Sequence, residues 1–575
     1  MSDRQQNWYF TTETNANGYT YVKAYQTKWD PVRKITRRSA KRYVGRLYED
    51  GRVLPSEGFL KAFPQYAGFP LFFSADKRLV NEAAYRADFP DSPGPKPDTE
   101  DVERDDMLHI GVTWAAETLA ESSGLFDSLV DVFGREKARA LLHLAIYKLD
   151  ASSSMAAYRE WNCGVYLKQT KPLSDQRISE LLAGIDNKSF EDFFQRRHAA
   201  KLQNHDGEHL TYALDNTSIS TYSETIPEAE YGHAKRDPEL RQINYTFVCD
   251  QCDGEIVFAH AYEGSVNDVT ALSTILYRMQ AAKLDLDNVV LVHDRGYSSL
   301  LNVQRLVNQE IKFIQGVRLV EDAIKSKFDE CRASLHDVAF YDAECGVYAR
   351  SFEEPWQQNT DSGRLNQKVF VHLYRYPGDD EAKMAEIVRK VEEILKAKKE
   401  RREVSPELWQ SCKRFLKEQK DDHGRKTWLR NDQAIRNAIR YAGLFAIRSN
   451  VEPNPFAALR TYRLRNIIEL DFNQFKNWVD GARMRCTGKT FLGRLLICTI
   501  AASLRLMMLH RVRLNADKLN VKIPKDSLDV VMAVLRKVRA ERRRDGNAWV
   551  VRTLTKKQRE MLALLGLANP PRTLR

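Results

Sequence analysis

Between residues 209 and 317 the apolar positions change their spacing in blocks, and each block predicts one element. Runs rich in leucine, aromatic and β-branched residues at Leu210–Ile219, Ile243–Cys249 and Ile256–Tyr262 predict three strands. Helical spacing then runs from Asn267 to about Ala282, followed by the continuous apolar stretch VVLVHD at Val289–Asp294, a helix from Ser298 and a strand at Lys312–Val317. Three successive strands followed by alternation predict an α/β (mixed α+β) domain with one mixed sheet flanked by helices. From Arg318 to about Arg430 the pattern is interrupted for too long to be a loop, which predicts an inserted subdomain. Its first part, Ala339–Tyr376, alternates like strands (LNQKVFVHLYRY), and its second, Asp379–Lys420, reads as charged helix whose alternating signs suit a solvated face.

The flanks follow other patterns. The first residues form a β-rich unit closed by FPDSPGPKPD at Phe89–Asp98, a linker by composition. From Met107 to about Arg197 the spacing is helical, with a Ser174 cap before DQRISELLAGI; it fits a helix-turn-helix or a plain bundle. The expected domains are therefore 1–98, 99–205, a core in two parts at 206–318 and 431–510 around the insertion 319–430, and a basic helical tail at 511–575.

Within the second core part, Asn454 and Pro455 suit a helix start. Tyr462, Arg465, Glu469 and Lys476 then fall within one arc of roughly 60° on a uniform helix. Leu464, Ile467, Ile468, Phe475 and Trp478 form an apolar stripe opposite. Two aspartates join this face as candidates. Asp215 lies inside the predicted strand of HLTYALDNTSIS, where an unpaired carboxylate is costly. Asp294 ends VVLVHD just before the turn Arg295-Gly296-Tyr297, and carboxyl ends of such strands line ligand crevices. Three acids from separate elements suit two hard divalent cations roughly 4 Å apart, which can activate a water or hydroxyl and stabilise the oxygen leaving a phosphodiester. The hydroxyl and cations of the same arc then suit the flanking phosphates.

The spacing Tyr462, Arg465, Glu469, Lys476 matches without a gap the YREK signature of one branch of the DDE insertion-sequence transposases. ALDNTSIS around Asp215 and LVHDRGYSS around Asp294 resemble that branch's first and second aspartate motifs, and the matched motifs span about residues 209–505. The resemblance implies a ribonuclease-H-like fold, and a triad of Asp215, Asp294 and Glu469 holding two Mg²⁺ ions, with Mn²⁺ as a substitute. It also implies DNA contacts by Tyr462, Arg465 and Lys476, a β-rich insertion, and excision through DNA hairpins. The function expected is cleavage at transposon inverted-repeat ends and transfer of the 3′-hydroxyls into target DNA, by a homodimer because two ends must be joined. Arg295, beside Asp294, and Trp356, in the insertion, are further DNA-contact candidates. The alternatives are a ribonuclease-H-like structure-specific nuclease and a non-catalytic DNA-binding regulator derived from a transposase.

Composition refines this expectation. The chain has 575 residues, 43% of them hydrophobic, enough for several cores. Its net charge of +11 is concentrated after residue 510, where 17 Lys and Arg face 6 Asp and Glu. Arg536, Lys537, Arg539, Arg542, Arg543 and Arg544 are the densest cluster, fit for DNA or for a synaptic partner. A second basic stretch, Val32, Arg33, Lys34, Arg37, Arg38, Lys41 and Arg42, lies among aromatic strand residues and is a candidate end-recognition element. Only Cys249 and Cys252 have metal-like spacing, without a second pair, so a reduced pair fits better than zinc. GARMRCTGKT at 481–490 lacks the spacing of a phosphate loop, so no nucleotide cofactor is expected. Without a secretion-like start or an apolar run of about 18 residues, a cytoplasmic protein acting on the nucleoid, not on a membrane, is expected.

Overall fold

The computed structural model describes residues 8–15, 20–30, 34–48, 51–88, 107–151, 154–168, 173–205, 209–232, 237–360, 363–420, 426–523, 527–542 and 548–574. The proposed linker at 89–98, together with Val32, Arg33, Arg543 and Arg544, lies outside them. The chain forms two compact units, Met1–Arg104 and Asp105–Arg575.

The first unit is a sheet of seven strands: β1 (Trp8–Thr14), β2 (Thr20–Asp30), β3 (Ile35–Arg38), β4 (Arg42–Leu47), β5 (Arg52–Pro55), β6 (Leu71–Phe73) and β7 (Leu79–Val80). They run in the order β1-β2-β4-β5-β6-β7, with β3 also on β2. Alternation puts Phe10, Val22, Ala24 and Val44 on one face, where Phe59 from a short Ser56-capped helix closes the core.

The second unit opens with β8 (Met107–His109) and continues as helices, including Gly111–Ser122, Arg135–Ala151, Asp175–Ala183 and Asn187–Gln203. Ser174 caps the third of these through Arg177 N. The expected sheet follows as β9 (Leu210–Thr221), β10 (Arg241–Asp250), β11 (Ile256–Glu263), β12 (Val289–His293) and β13 (Lys312–Val317). β9, β10 and β11 are antiparallel neighbours, while β12 is parallel to both β9 and β13. One apolar core runs through this sheet, the helices before it and those after residue 488. The buried Arg197–Glu255 pair at 2.6 Å ties the helical region to β11.

The insertion extends the same sheet. β14 (Tyr341–Asp342) leads to a long hairpin of β15 (Val347–Thr360) and β16 (Gly363–Arg375), then the helix Asp379–Lys399 and a small hairpin of β17 (Leu416–Lys420) and β18 (Lys426–Arg430). β19 (Leu444–Ser449) lies between β13 and β16 and is antiparallel to both. The full order is β11-β10-β9-β12-β13-β19-β16-β15-β14, with β20 (Arg483–Met484) pairing in parallel with the last residues of β9, Ser220 and Thr221. Arg448 of β19, buried, bonds Glu321 and Glu354 and so locks the insertion to the strand beside it.

Two expectations need correction. Residues 511–575 are not simply a helical tail, because β21 (Arg539–Arg542), β22 (Trp549–Val551) and β23 (Thr573–Leu574) form a sheet with β8 in the order β23-β22-β21-β8. Arg536 of the basic cluster bonds Asp150 at 2.6 Å. Strands of two to four residues are too short to show a period. The second correction concerns the helix Gly488–Leu519, which is long and apolar enough to cross a bilayer, although 89% of that apolar window is buried inside the fold. Arg494 and Arg505 interrupt its apolar run in the sequence. Arg505 is nevertheless buried, bonding Gln474, Asp529 and the Leu149 carbonyl.

Candidate active site

β9 and β12 run parallel with Leu214 opposite His293, so the residues that follow, Asp215 and Asp294, emerge side by side. A third element closes over them. Asn454 accepts from Phe456 N and Ala457 N to start the helix Pro455–Leu464, as its position predicts. From that helix Tyr462 donates its hydroxyl to Asp294 Oδ1 at 3.0 Å. Arg465, nearly buried, reaches Asp215 Oδ2 at 3.4 Å and Asp294 Oδ1 at 3.7 Å. Gly316 of β13 makes room: a Cβ there would stand 2.5 Å from the Tyr462 hydroxyl and 3.0 Å from Arg295 N.

The signature residues do not share one regular helix. Arg465 N and Asn466 N bond back three residues, to Tyr462 O and Arg463 O, so the helix turns tightly before a new one begins at Ile467–Asn473. Gln474–Trp478, which carries Lys476, is a π turn. The predicted apolar stripe is split in consequence: Ile468 and Phe475 are fully buried, whereas Leu464 and Trp478 are exposed. Glu469, in the first turn of the new helix, is exposed, and its carboxylate makes no hydrogen bond or ion pair among the described residues. Among those residues no three His, Cys, Asp or Glu are grouped to hold a metal ion, and what converges is the pair Asp215 and Asp294.

The pair fits a hard cation in donor type and in charge. Burial, reinforced by Asp294 and Asp268, pushes the Asp215 carboxyl up to about 6 even though Asn216 N–H and Arg465 pull it down. The pocket is therefore short of positive charge at neutral pH. Burial likewise raises the Tyr462 hydroxyl, and it lowers His293, fully enclosed behind Asp294, to about 4.

Sequence reasoning missed two neighbours, Asp268 and Tyr297. Asp268, in the first turn of the helix Asp268–Ala281, accepts from Asn216 Nδ2 at 3.1 Å, so the residue after Asp215 links a further acid to the site. Tyr297 is fully buried beneath, and its raised hydroxyl follows first from burial and then from Asp215 and its neighbours. Asp268 carried only the signal of an ordinary acid after the Asn267 cap, because the fold alone brings it near Asp215.

Arg295 is exposed on the turn after Asp294, and Arg318 holds that turn by bonding the carbonyls of Arg295 and Gly296. Trp356, on β15, is half-buried against the main core. In the first unit Arg37 pairs with Asp30 at 3.3 Å, while Arg38 lies over the Tyr25 ring.

Comparison with known proteins adds to this geometry. No curated protein sequence matches the chain. Among solved structures, a piggyBac transposase synaptic complex with hairpin DNA is similar with a TM-score of 0.34 and 11% identity, over 70% of this chain and 70% of that one. A family model described as the transposase DDE domain matches residues 206–504, which runs from the strand bearing Asp215 past the helix bearing Glu469 and spans more than half of the protein. The chain belongs to the DDE transposase family.

Proposed function

We propose that this transposase cuts DNA at the two inverted-repeat ends of its own mobile element and transfers the freed 3′-hydroxyls into target DNA. The observation that carries the reading is the pairing of Asp215 with Asp294 at adjacent strand ends under Arg465 and Tyr462. Asp215, Asp294 and Glu469 would hold two Mg²⁺ ions, or Mn²⁺ in their place, supplying Lewis acidity at the scissile phosphate. Glu469, exposed and without a partner among the described residues, is available to complete that set. Arg465 partly offsets the charge of both acids in the metal-free chain, and once they are otherwise neutralised its guanidinium is free to pair with a flanking phosphate. Tyr462 fixes Asp294, while Lys476, Arg295 and Trp356 are assigned to the DNA alongside. No step requires a covalent bond between protein and DNA. A homodimer follows from the need to process two ends together.

The test uses duplexes carrying the element's ends. Asp215→Asn, Asp294→Asn and Glu469→Gln should each abolish nicking while retaining end binding in a mobility-shift assay. Normal strand cutting by any one of them overturns the assignment. Wild-type protein that nicks paired ends but never joins them to a target plasmid would be a structure-specific nuclease instead.

A further inference from the structure

The first unit has two unlike faces. One buries Phe10, Val22, Ala24 and Val44. The opposite face follows from the register: Tyr9 opposes Tyr25, Glu13 opposes Tyr21, Lys23 opposes Tyr43, and Thr27 opposes Arg38. Residues directly opposite in a ladder share a face, and alternate residues along a strand do too. Tyr9, Tyr21, Tyr25, Tyr43 and Trp29 therefore all stand on the outer face. Tyr9 is 45% exposed, Tyr43 49% and Trp29 56%. The rings form adjacent pairs, Tyr9 with Tyr25 and Tyr21 with Tyr43, each with centroids 5.8 Å apart.

Cations border the same rings. Arg38 lies 4.9 Å from the Tyr25 centroid, and Arg46, opposite Tyr21, is on this face as well. The acid among them, Glu13, is bonded by both Lys23 and Lys41 and held well down, to about 2, by those two lysines. With Lys23, Arg38, Lys41 and Arg46 against Glu13, this face is positive. The exposed rings of Tyr9, Tyr43 and Trp29, edged by arginine and lysine, match the requirements of unstacked bases strung on phosphates. A duplex cannot use ring faces in this way, because its bases are already stacked and only their edges reach the grooves.

We propose that the outer face of β1, β2 and β4 binds single-stranded DNA, with Tyr9, Tyr43 and Trp29 as stacking surfaces, Tyr25 backing Tyr9, and Arg38 and Arg46 on the phosphates. From the proposed function the inference takes only that the substrate is DNA, in which cutting and joining expose unpaired bases. It refines the role of the basic stretch: Arg38 belongs to this face, whereas Arg37, opposite Lys28 and paired with Asp30, points to the other.

The test measures binding of a labelled oligothymidine of about 16 nucleotides, and of a duplex of equal length, to the full chain by fluorescence anisotropy. Tyr9→Leu/Tyr43→Leu keeps apolar bulk and removes two ring faces. It should weaken oligothymidine binding by roughly five- to 150-fold per lost stacking contact while changing duplex binding less than about threefold. Tyr9→Phe/Tyr43→Phe should bind as the wild type does, which a loss of fold or of hydroxyl contacts would not allow. Unchanged oligothymidine affinity in the leucine variant, or equal losses on both DNAs, overturns the proposal. Nicking by Asp215→Asn, scored separately on element-end duplexes, would sink the proposed function without touching this one.

Discussion

Asp215→Asn should make the metal-free protein more stable at neutral pH, although it destroys the proposed activity. The Asp215 carboxyl rises from its ordinary 3.8 to about 6, because burial and the neighbouring acids outweigh Asn216 N–H and Arg465. A raised acid favours the neutral form in the folded state, so its contribution to stability is fully present below about pH 4 and is lost as pH climbs through 6. A rise from 3.8 to about 6 corresponds to at most about 3 kcal/mol lost by pH 7.5. Asparagine keeps an oxygen for the Asn216 N–H, bonded now at 2.8 Å, and carries no charge to desolvate. Thermal unfolding in chelator at about pH 7.5 should thus show Tm raised by a few degrees in the variant, and the difference should shrink at about pH 4.5. Magnesium should then raise the Tm of the wild type and leave the variant nearly unmoved. A variant no more stable than wild type in chelator, or one that responds equally to magnesium, would refute the claim that this pocket lacks positive charge.

Arg465→Ala should slow single-turnover nicking by at least about tenfold, with Arg465→Lys partly active, because a guanidinium spanning two carboxylates does what an ammonium cannot. Gly316→Ala should displace the Tyr462 hydroxyl and cost about 1–3 kcal/mol in denaturant unfolding, and adding Tyr462→Phe should recover part of that loss by removing the atom 2.5 Å from the new methyl. Arg505→Met should destabilise the second unit by about 1–3 kcal/mol in the same assay, since the buried Gln474 amide oxygen loses its donor and the partly exposed Asp529 loses its cation.

The central sheet was legible because its strands are rich in aliphatic, aromatic and β-branched residues, with β12 a continuous apolar run. Lys312–Val317 matches the prediction residue for residue, and β9 to β12 do so within two residues. Asp215 and Asp294 stood out as acids in runs otherwise closed to charge. The break after Leu464 did not show, because helical arithmetic assumes 100° per residue and nothing local marks the tight turn that carries Arg465 to both acids. Asp268 was hidden for a different reason, being 53 residues from Asp215 in sequence and joined to its neighbour Asn216 only by the sheet. Arg505 misled in a different way, interrupting the apolar run of the helix Gly488–Leu519 although it lies buried within the fold.

Because β19 is wedged between β13 and the long hairpin, and belongs to the chain only after the insertion has been traversed, residues 319–430 cannot be traded like a cassette. Excising them would bare the edge of β19 along Leu444–Ser449 and strand Arg448 without either glutamate. Freedom to change length lies instead at the far end of the hairpin, beyond the Thr360–Gly363 pair, while its base is fixed by the same ladder that aligns the acids.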